Sequence, residues 1–237
     1  MTGPELVLAA FVVFLASCLQ GTIGFGLGML AAPVISLLDP SLLPGSIVLL
    51  AAGLTVFGVL RDRTAVDFRG TGWALLGMVP GTVAGALLVA ALPPQALALA
   101  VAGTVLLAVL LSICGWQPRP RPAAVAAAGA ASGLMGTATA IGGPPMALVW
   151  HGFSPARVRG TMSAFFLVGA LVSLTALTAV GSIDREVLLF AAALLPAMLL
   201  GFVTSGVVNG RLDKVLVRRV GLAASTAGAV LVLVQAL

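Results

Sequence analysis

Apolar stretches of membrane-spanning length follow one another along nearly the whole chain. Of its 237 residues, 60% are hydrophobic and only 8% are charged, whereas a soluble domain carries about 25% charged residues. A helix needs about 20 apolar residues to cross the hydrocarbon core of a bilayer. We therefore predict an all-α polytopic membrane protein whose outer surface faces lipid. Eight apolar stretches are evident: 6–38, 44–60, 72–92, 96–113, 123–150, 161–180, 187–208 and 215–237.

The basic residues lie in short loops between these stretches. The net charge of +5 and the pI of about 11.0 could suggest a nucleic-acid partner. We expect none, because the 12 Lys and Arg residues are spread over separate loops, as is typical of charges that set membrane orientation. No loop is long enough for a soluble domain, so residues 1–237 form a single membrane domain. Residues 1–5 lack a basic region, so no cleaved signal peptide is expected.

Two of the stretches are too long or too irregular for one helix. Residues 6–38 would form a helix of about 50 Å, against a bilayer core of about 30 Å. Residues 20–28 contain four glycines, each of which costs about 1 kcal/mol relative to alanine inside a helix. In the fifth stretch we expect interruptions at 132–136 and again at 141–145, where Gly and Pro cluster. Broken apolar segments of this kind indicate the binding site of a transporter.

The two halves of the chain repeat one another. An offset of 112 positions aligns Gly21 with Gly133 and Pro33 with Pro145, and the offset drifts to 116 by the end of the half. A short insertion near residue 151 explains the drift. We predict one repeat over residues 1–117 and a second over residues 118–237. The remaining matched pairs are Gly24 with Gly136, Pro40 with Pro155, Gly45 with Gly160, Pro80 with Pro196 and Gly85 with Gly201.

The charge distribution favours inverted repeats. If every stretch crossed the membrane once, the basic residues would divide six to six, which conflicts with the positive-inside rule. If each long stretch is instead a hairpin that returns to its own side, 11 basic residues share one face and only Arg185 lies on the other. We therefore predict two inverted repeats, each a Gly-rich helical hairpin followed by three transmembrane helices, with both termini outside the cell membrane (the inner or plasma membrane).

Tryptophans support the same orientation. Trp73, Trp116 and Trp150 all fall at the basic boundary, and indole rings favour the membrane interface. The hairpins would then enter from opposite faces, and their glycine-rich tips would meet near the middle of the membrane, where unpaired backbone must line a protected cavity.

The hairpin tips are the predicted binding site. Half-helix N-termini carry unpaired N–H groups and a partial positive charge that suit an anion, and glycines let a ligand approach the backbone. A Gln in an apolar run needs a polar partner, whereas Ser and Thr often bond only to their own helix. Glycines at 81–85 and 201–206 are expected to serve helix packing. The predicted substrate-binding residues are Gln20, Gly21, Thr22, Gly24, Gly136, Thr137 and Thr139.

Other chemistry finds little support in the sequence. No HExxH, GxSxG or P-loop motif is present, and no metal-ligand cluster or acid–base pair is evident, so we expect no enzyme activity, no cofactor and no metal. No ionisable residue falls in the middle of a span, which argues against a carboxylate proton relay. The sole histidine, His151, is expected to be a solvated loop residue.

The glycine-rich hairpins resemble those of the TauE/SafE family, also called the toluene sulfonate uptake permease family. The strings that carry the resemblance run from Gln20 to Gly26 and on to Pro33, and from Gly133 to Pro145. The resemblance covers nearly the whole chain and implies a multi-pass cell-membrane protein that moves sulfite, organosulfonates or small organic acids. Ala138 and Ala140 stand where many relatives have glycine.

We therefore expect a transporter of small anions that works by alternating access around the two hairpin tips. A channel-like anion pore and a non-transporting membrane assembly protein are the alternatives. The sequence leaves open the substrate, the direction of transport, the coupling ion and whether the chain forms a homodimer.

Overall fold

The described part of the chain is built from α-helices. The computed structural model describes residues 3–114, 119–150, 152–208, 223, 226, 227, 230, 233 and 234. Predictions for Trp116, His151 and most of the eighth stretch lie outside these residues. The helices are α1 (Gly3–Ile23), α2 (Leu27–Leu38), α3 (Gly45–Asp62), α4 (Phe68–Ala91), α5 (Pro94–Cys114), α6 (Pro122–Thr139), α7 (Gly143–Val149), α8 (Pro155–Ala179) and α9 (Arg185–Val208).

Among the described residues, five stretches of helix are long and apolar enough to cross a membrane: Gly3–Ile23, Gly45–Ala65, Phe68–Ala91, Pro155–Ala179 and Arg185–Val207. Their outward faces carry large apolar side chains such as Leu76, Leu87 and Val203, each more than 60% exposed. A soluble protein rarely exposes contiguous apolar surface on this scale. The predictions of an all-helical chain and of several membrane spans are confirmed.

Helix ends follow from local sequence. Asp67 caps α4, because its side chain accepts a hydrogen bond from the Gly70 N–H at 3.1 Å. Proline occupies the first turn of α5, α6 and α8, where its missing N–H costs nothing. These caps keep the connections short, so the helices pack directly on one another.

Glycines let two pairs of helices approach closely. Methyl groups on Gly77, Gly81 and Gly85 of α4 would overlap backbone atoms of α6, and Gly201 of α9 lies in the same way against α1. Close backbone approach through small residues is the usual packing mode in membranes. The packing role predicted for Gly81, Gly85 and Gly201 is confirmed, whereas a methyl group on Gly206 would meet none of the described residues within 4 Å.

The most extensive helix–helix contacts in the described part of the chain join helices from different halves. The helix α4 packs against α6, α1 against α9, and α3 against α8. Trp150 lies in this interior: it is 1% exposed and makes an edge-on contact with Phe165 at 6.0 Å between ring centroids. The Trp150 ring therefore packs inside the protein instead of facing lipid, and its depth in the membrane stays a prediction. Trp73 is 41% exposed.

Candidate functional site

The first long stretch breaks where the glycines predicted it would. Helix α1 ends at Ile23 and α2 begins at Leu27. Between them, Gly24 has φ 95° and Gly26 has φ 129°, and L-residues with side chains avoid such conformations. The glycines therefore allow the chain to leave one helix and start another within three residues.

A side chain closes this first break. Gln20, still in α1, accepts a hydrogen bond through Oε1 from the Leu27 N–H at 3.0 Å. Leu27 is the first residue of α2, and the N–H groups of a first helical turn have no partner within their own helix. Because the carboxamide oxygen is committed to Leu27, the group that Gln20 has left to offer is its donor NH₂.

The second break lies at residues 140–142, between α6 and α7. Ala140 adopts a left-handed conformation with φ 61° and ψ 14°. Ser132 donates a hydrogen bond to the carbonyl oxygen of Gly142 at 2.6 Å. The expected interruption at residues 132–136 is wrong: α6 continues through them to Thr139, and at Gly133 the helix packs closely against α4. The interruption expected at 141–145 is present one residue earlier.

The two breaks touch each other. A methyl group on Gly28 would overlap the carbonyl oxygen of Ala140, and one on Gly143 would come within 2.7 Å of the Phe25 ring. The start of α2 is thus packed against the end of α6, and the start of α7 against the first break. This contact brings residues from positions far apart in the sequence to one place.

A cavity of about 70 Å³ lies at this meeting point. A single water needs about 10–15 Å³, so there is room for a few waters or one small solute. None of the described residues that line it is charged, and its polar side chains are Gln20, Ser132 and Ser173. The residues in and next to the two breaks that line it include Gly26, Leu27, Gly28, Met29, Gly136, Ala140, Ile141, Gly142 and Gly143.

The electrostatic character of the cavity comes from hydrogen-bond donors and helix ends. Leu27, Gly28 and Met29 belong to the first turn of α2 and line the cavity. The first turn of a helix carries a partial positive charge. No carboxylate lies on the described wall, so the start of α2 offers partial positive charge to a polar solute, and the end of α6 at Ala140 offers partial negative charge.

The structure brings two of the predicted site residues to the cavity wall. Gln20 and Gly136 line it. Gly24 lies within the first break but against Arg159 and Met162 of α8. Gly21 lies at the contact between α1 and α9, where a methyl group would overlap Ser205.

The three predicted threonines lie behind the wall. Thr22 donates to the Cys18 carbonyl at 2.8 Å, and Thr139 donates to the Met135 carbonyl at 2.7 Å. Thr137 shares a hydrogen bond of 2.7 Å with Ser173 of α8, which itself lines the cavity. A role for these residues in binding stays a prediction.

The sequence reasoning did not include Ser132 and Ser173 among the site residues. The repeat carried the signal for Ser132, since the offset of 112 that pairs Gly21 with Gly133 also pairs Gln20 with Ser132. Ser173 carries no such signal, because it reaches the cavity from α8 through helix packing.

An ionic cluster lies beside the first break and consists of Arg61, Asp62 and Arg159, of which Asp62 is buried and Arg61 is exposed. Arg159 donates two hydrogen bonds to the Asp62 carboxylate, from Nε to Oδ2 at 3.1 Å and from Nη2 to Oδ1 at 2.9 Å. Arg61 contacts the same carboxylate at 3.3 Å. The side chains of Arg159 and Asp62 are only 14% and 10% exposed. The cluster joins the end of α3 to the start of α8.

Arg61 extends the cluster to two further helices. Its Nη1 donates to Ser205 Oγ of α9 at 3.0 Å, and its Nη2 donates to the Gly21 carbonyl oxygen of α1. The guanidinium also lies over the Phe202 ring, 4.6 Å from its centroid. The helices α1, α3, α8 and α9 therefore meet at the ionic cluster. Gly21, which binds Arg61, is next in sequence to Gln20.

Comparison with known proteins identifies the family. The family model described as Sulfite exporter TauE/SafE matches residues 9–232. This chain belongs to the TauE/SafE family. The match spans both breaks, and it makes the protein a member of a family of multi-pass membrane transporters rather than of enzymes. No significant match to a curated protein or to a solved structure was found for this TauE/SafE protein.

Proposed function

We propose that this TauE/SafE protein transports a small anion, sulfite or an organosulfonate or a related organic acid, which binds in the cavity between the two helix breaks. The observation that carries the proposal is the apposition of Gly28 and Ala140, which places two interrupted helices around one uncharged cavity. Interrupted helices at a repeat interface are where transporters bind their substrates. The family match supports transport as the activity.

The donors at the cavity support an anion as the substrate. Gln20 offers its NH₂ group, and the α2 terminus offers its partial positive charge. In our proposal these groups, together with Gly21, Thr22, Gly24, Gly136, Thr137 and Thr139, form or support the binding site. An anion leaving a cell is favoured by about 2.3 kcal/mol per charge for each 100 mV of inside-negative potential, so export needs no coupling ion.

The helix contacts support two inverted repeats, 1–117 and 118–237. In the repeat, α1 corresponds to α6, α3 to α8 and α4 to α9. Replacing each helix by its counterpart therefore turns the α1–α9 contact into the α6–α4 contact and leaves the α3–α8 contact unchanged. The ion pairs Asp62–Arg159 and Asp67–Arg157 bring the loops 61–69 and 151–159 together. If each long stretch crossed the membrane once, these loops would lie on opposite faces. The contacts therefore support hairpins. That both termini lie outside the cell is part of our proposal and rests on the positive-inside rule.

The same geometry supports our proposal of alternating access. Because the breaks touch, a rocking motion of one half against the other would open the cavity to one side at a time. A channel-like pore would instead need a continuous path, and an assembly protein would need no path at all.

Flux into liposomes separates these functions. Purified protein is reconstituted, and uptake of sulfite and of methanesulfonate is followed over a range of concentrations. A carrier predicts saturable uptake with competition between the two anions. Uptake that stays linear to high concentration would identify a pore, and uptake no faster than in empty liposomes would refute transport of these anions.

A further inference from the structure

The ionic cluster carries more positive than negative charge. Two guanidinium groups, Arg61 and Arg159, share the single carboxylate of Asp62. The other contacts of Arg61 are with the neutral oxygens of Ser205 and Gly21. The neighbouring pair Arg157–Asp67, at 3.1 Å, balances its own charge. The cluster therefore has a formal excess of one positive charge.

The cluster lies close to the cavity along two helices. Gly21, whose carbonyl accepts from Arg61, is adjacent to the cavity residue Gln20. Arg159 precedes the cavity residue Phe165 by six positions on α8, which corresponds to about 9 Å along a helix. The backbone of Arg159 also contacts the first break, because a Cβ on Gly24 would lie 3.2 Å from its Cα. The cluster therefore adjoins the break that lines the cavity, and the described wall of the cavity has no charge of its own.

The repeat gives this cluster no counterpart. The offset of 115 that pairs Gly45 with Gly160 places Pro44 opposite Arg159 and Leu177 opposite Asp62. Leu177 is fully buried among apolar side chains. The other end of the α3–α8 contact is thus closed by apolar packing. An ionic contact at one end only suggests a specific role for the charge.

We propose that Arg61 and Arg159 bind a small oxyanion on its path to the cavity, and that the Asp62 carboxylate competes with this anion for the two guanidinium groups. A guanidinium fork binds sulfonate and carboxylate oxygens with the same bidentate geometry. Asp62 holds the arginines in place while no anion is present, and an arriving anion replaces its carboxylate. This inference rests on the proposed function, because it takes the transported solute to be an anion.

Removing the competitor tests the inference. The Kd values of sulfite and methanesulfonate are measured on purified wild-type protein and on Asp62→Asn. The neutral amide competes poorly for the arginines, so we expect Kd to fall about tenfold. Asp67→Asn is the matched control: it removes the same charge from the neighbouring loop and leaves the cluster intact, so its Kd should equal that of wild type.

The outcomes are distinct. A Kd in Asp62→Asn that is unchanged or higher would overturn the inference, and so would equal tightening in Asp67→Asn, because the effect would then be general to the surface charge. If Asp62→Asn does not fold, Arg61→Gln is compared with Arg69→Gln, which alters an exposed arginine in the first turn of α4. A Kd raised about tenfold in Arg61→Gln alone supports the site; equal Kd values refute it. Absence of anion binding to wild type would instead refute the proposed function.

Discussion

Gln20 and Ser132 occupy matching positions in the two halves and each spans the helix break that follows it. Gln20 accepts from the Leu27 N–H at 3.0 Å, and Ser132 donates to the Gly142 carbonyl at 2.6 Å. The two bonds have opposite polarity: Gln20 satisfies an N–H group that the first turn of α2 leaves without a helical partner, whereas Ser132 binds the carbonyl of the residue that precedes α7. Both side chains also line the cavity, so the residues that hold the breaks are the ones that a solute would touch.

The cap provided by Gln20 can be measured as stability. Gln20→Ala leaves the buried Leu27 N–H without its partner, and we expect a loss of about 1–2 kcal/mol in the free energy of unfolding. Gln95→Ala is the matched control, because Gln95 is exposed in the first turn of α5. Thermal unfolding in detergent measures both. Equal melting temperatures for the two variants would contradict the role assigned to Gln20.

Ala140 holds a conformation that suits glycine. Its φ of 61° is the left-handed region, which costs a residue with a side chain about 1–2 kcal/mol. Ala140→Gly removes that cost. The glycine also makes the unfolded chain more flexible, which lowers the free energy of unfolding by about 0.4–1 kcal/mol. We expect a net stabilisation of about 0.5–1 kcal/mol, seen as a higher melting temperature.

Ala138 provides the matched control for Ala140. It is buried within the regular part of α6, where glycine costs about 1 kcal/mol. The two Ala→Gly substitutions, two positions apart, should therefore shift the melting temperature in opposite directions. A fall in both would show that Ala140 is not strained.

The contact between the two breaks is sensitive to one methyl group. Gly28→Ala places a Cβ on the Ala140 carbonyl oxygen, and this overlap should cost about 1–3 kcal/mol and abolish substrate uptake by separating the breaks. Gly103→Ala, at a helical position with nothing within 4 Å, should stabilise by up to about 1 kcal/mol. Normal uptake by Gly28→Ala in liposomes would contradict the arrangement of the breaks.

Thr137 supports the cavity from behind. Thr137→Val removes its bond to Ser173 at 2.7 Å while keeping its shape. We expect a loss of about 1 kcal/mol and weaker anion binding, since Ser173 loses the contact that orients it. Thr175→Val is the control, because Thr175 is exposed and bonds only within α8, to the Leu171 carbonyl. Unfolding and anion titration of both variants test this; identical behaviour would refute it.

The sequence indicated the fold better than it indicated the site. Apolar length predicted the helices, and the glycines at 21–28 predicted the first break, because a positive φ requires glycine there. The second break was misplaced in part because Ala140 takes a left-handed conformation that its sequence does not suggest. Glycines at 133 and 136 resemble a break but remain in α6; at Gly133 the helix packs closely on α4.

Contacts between distant residues account for what the sequence could not indicate. Ser173 reaches the cavity, and Arg61 reaches Gly21, only because helices from different halves pack together. Periodicity and composition describe each helix by itself and carry no information about which neighbours it meets. Thr22 and Thr139 were predicted to bind substrate because they are polar residues in apolar stretches. Their hydroxyls bond to carbonyls of their own helices, as is common in apolar surroundings.

The most direct test of the account is the binding of small anions at the cavity, measured as a thermal shift. Purified wild-type protein and Gln20→Ala are each heated with sulfite, methanesulfonate, acetate, sodium gluconate as an anion too large for the cavity, and a neutral sulfone. A ligand that binds the folded state raises the melting temperature by mass action. The account predicts a shift with sulfite or methanesulfonate in wild type that is lost in Gln20→Ala. A shift only with the neutral sulfone, or an equal anion shift in both proteins, would contradict an anion site at the helix breaks.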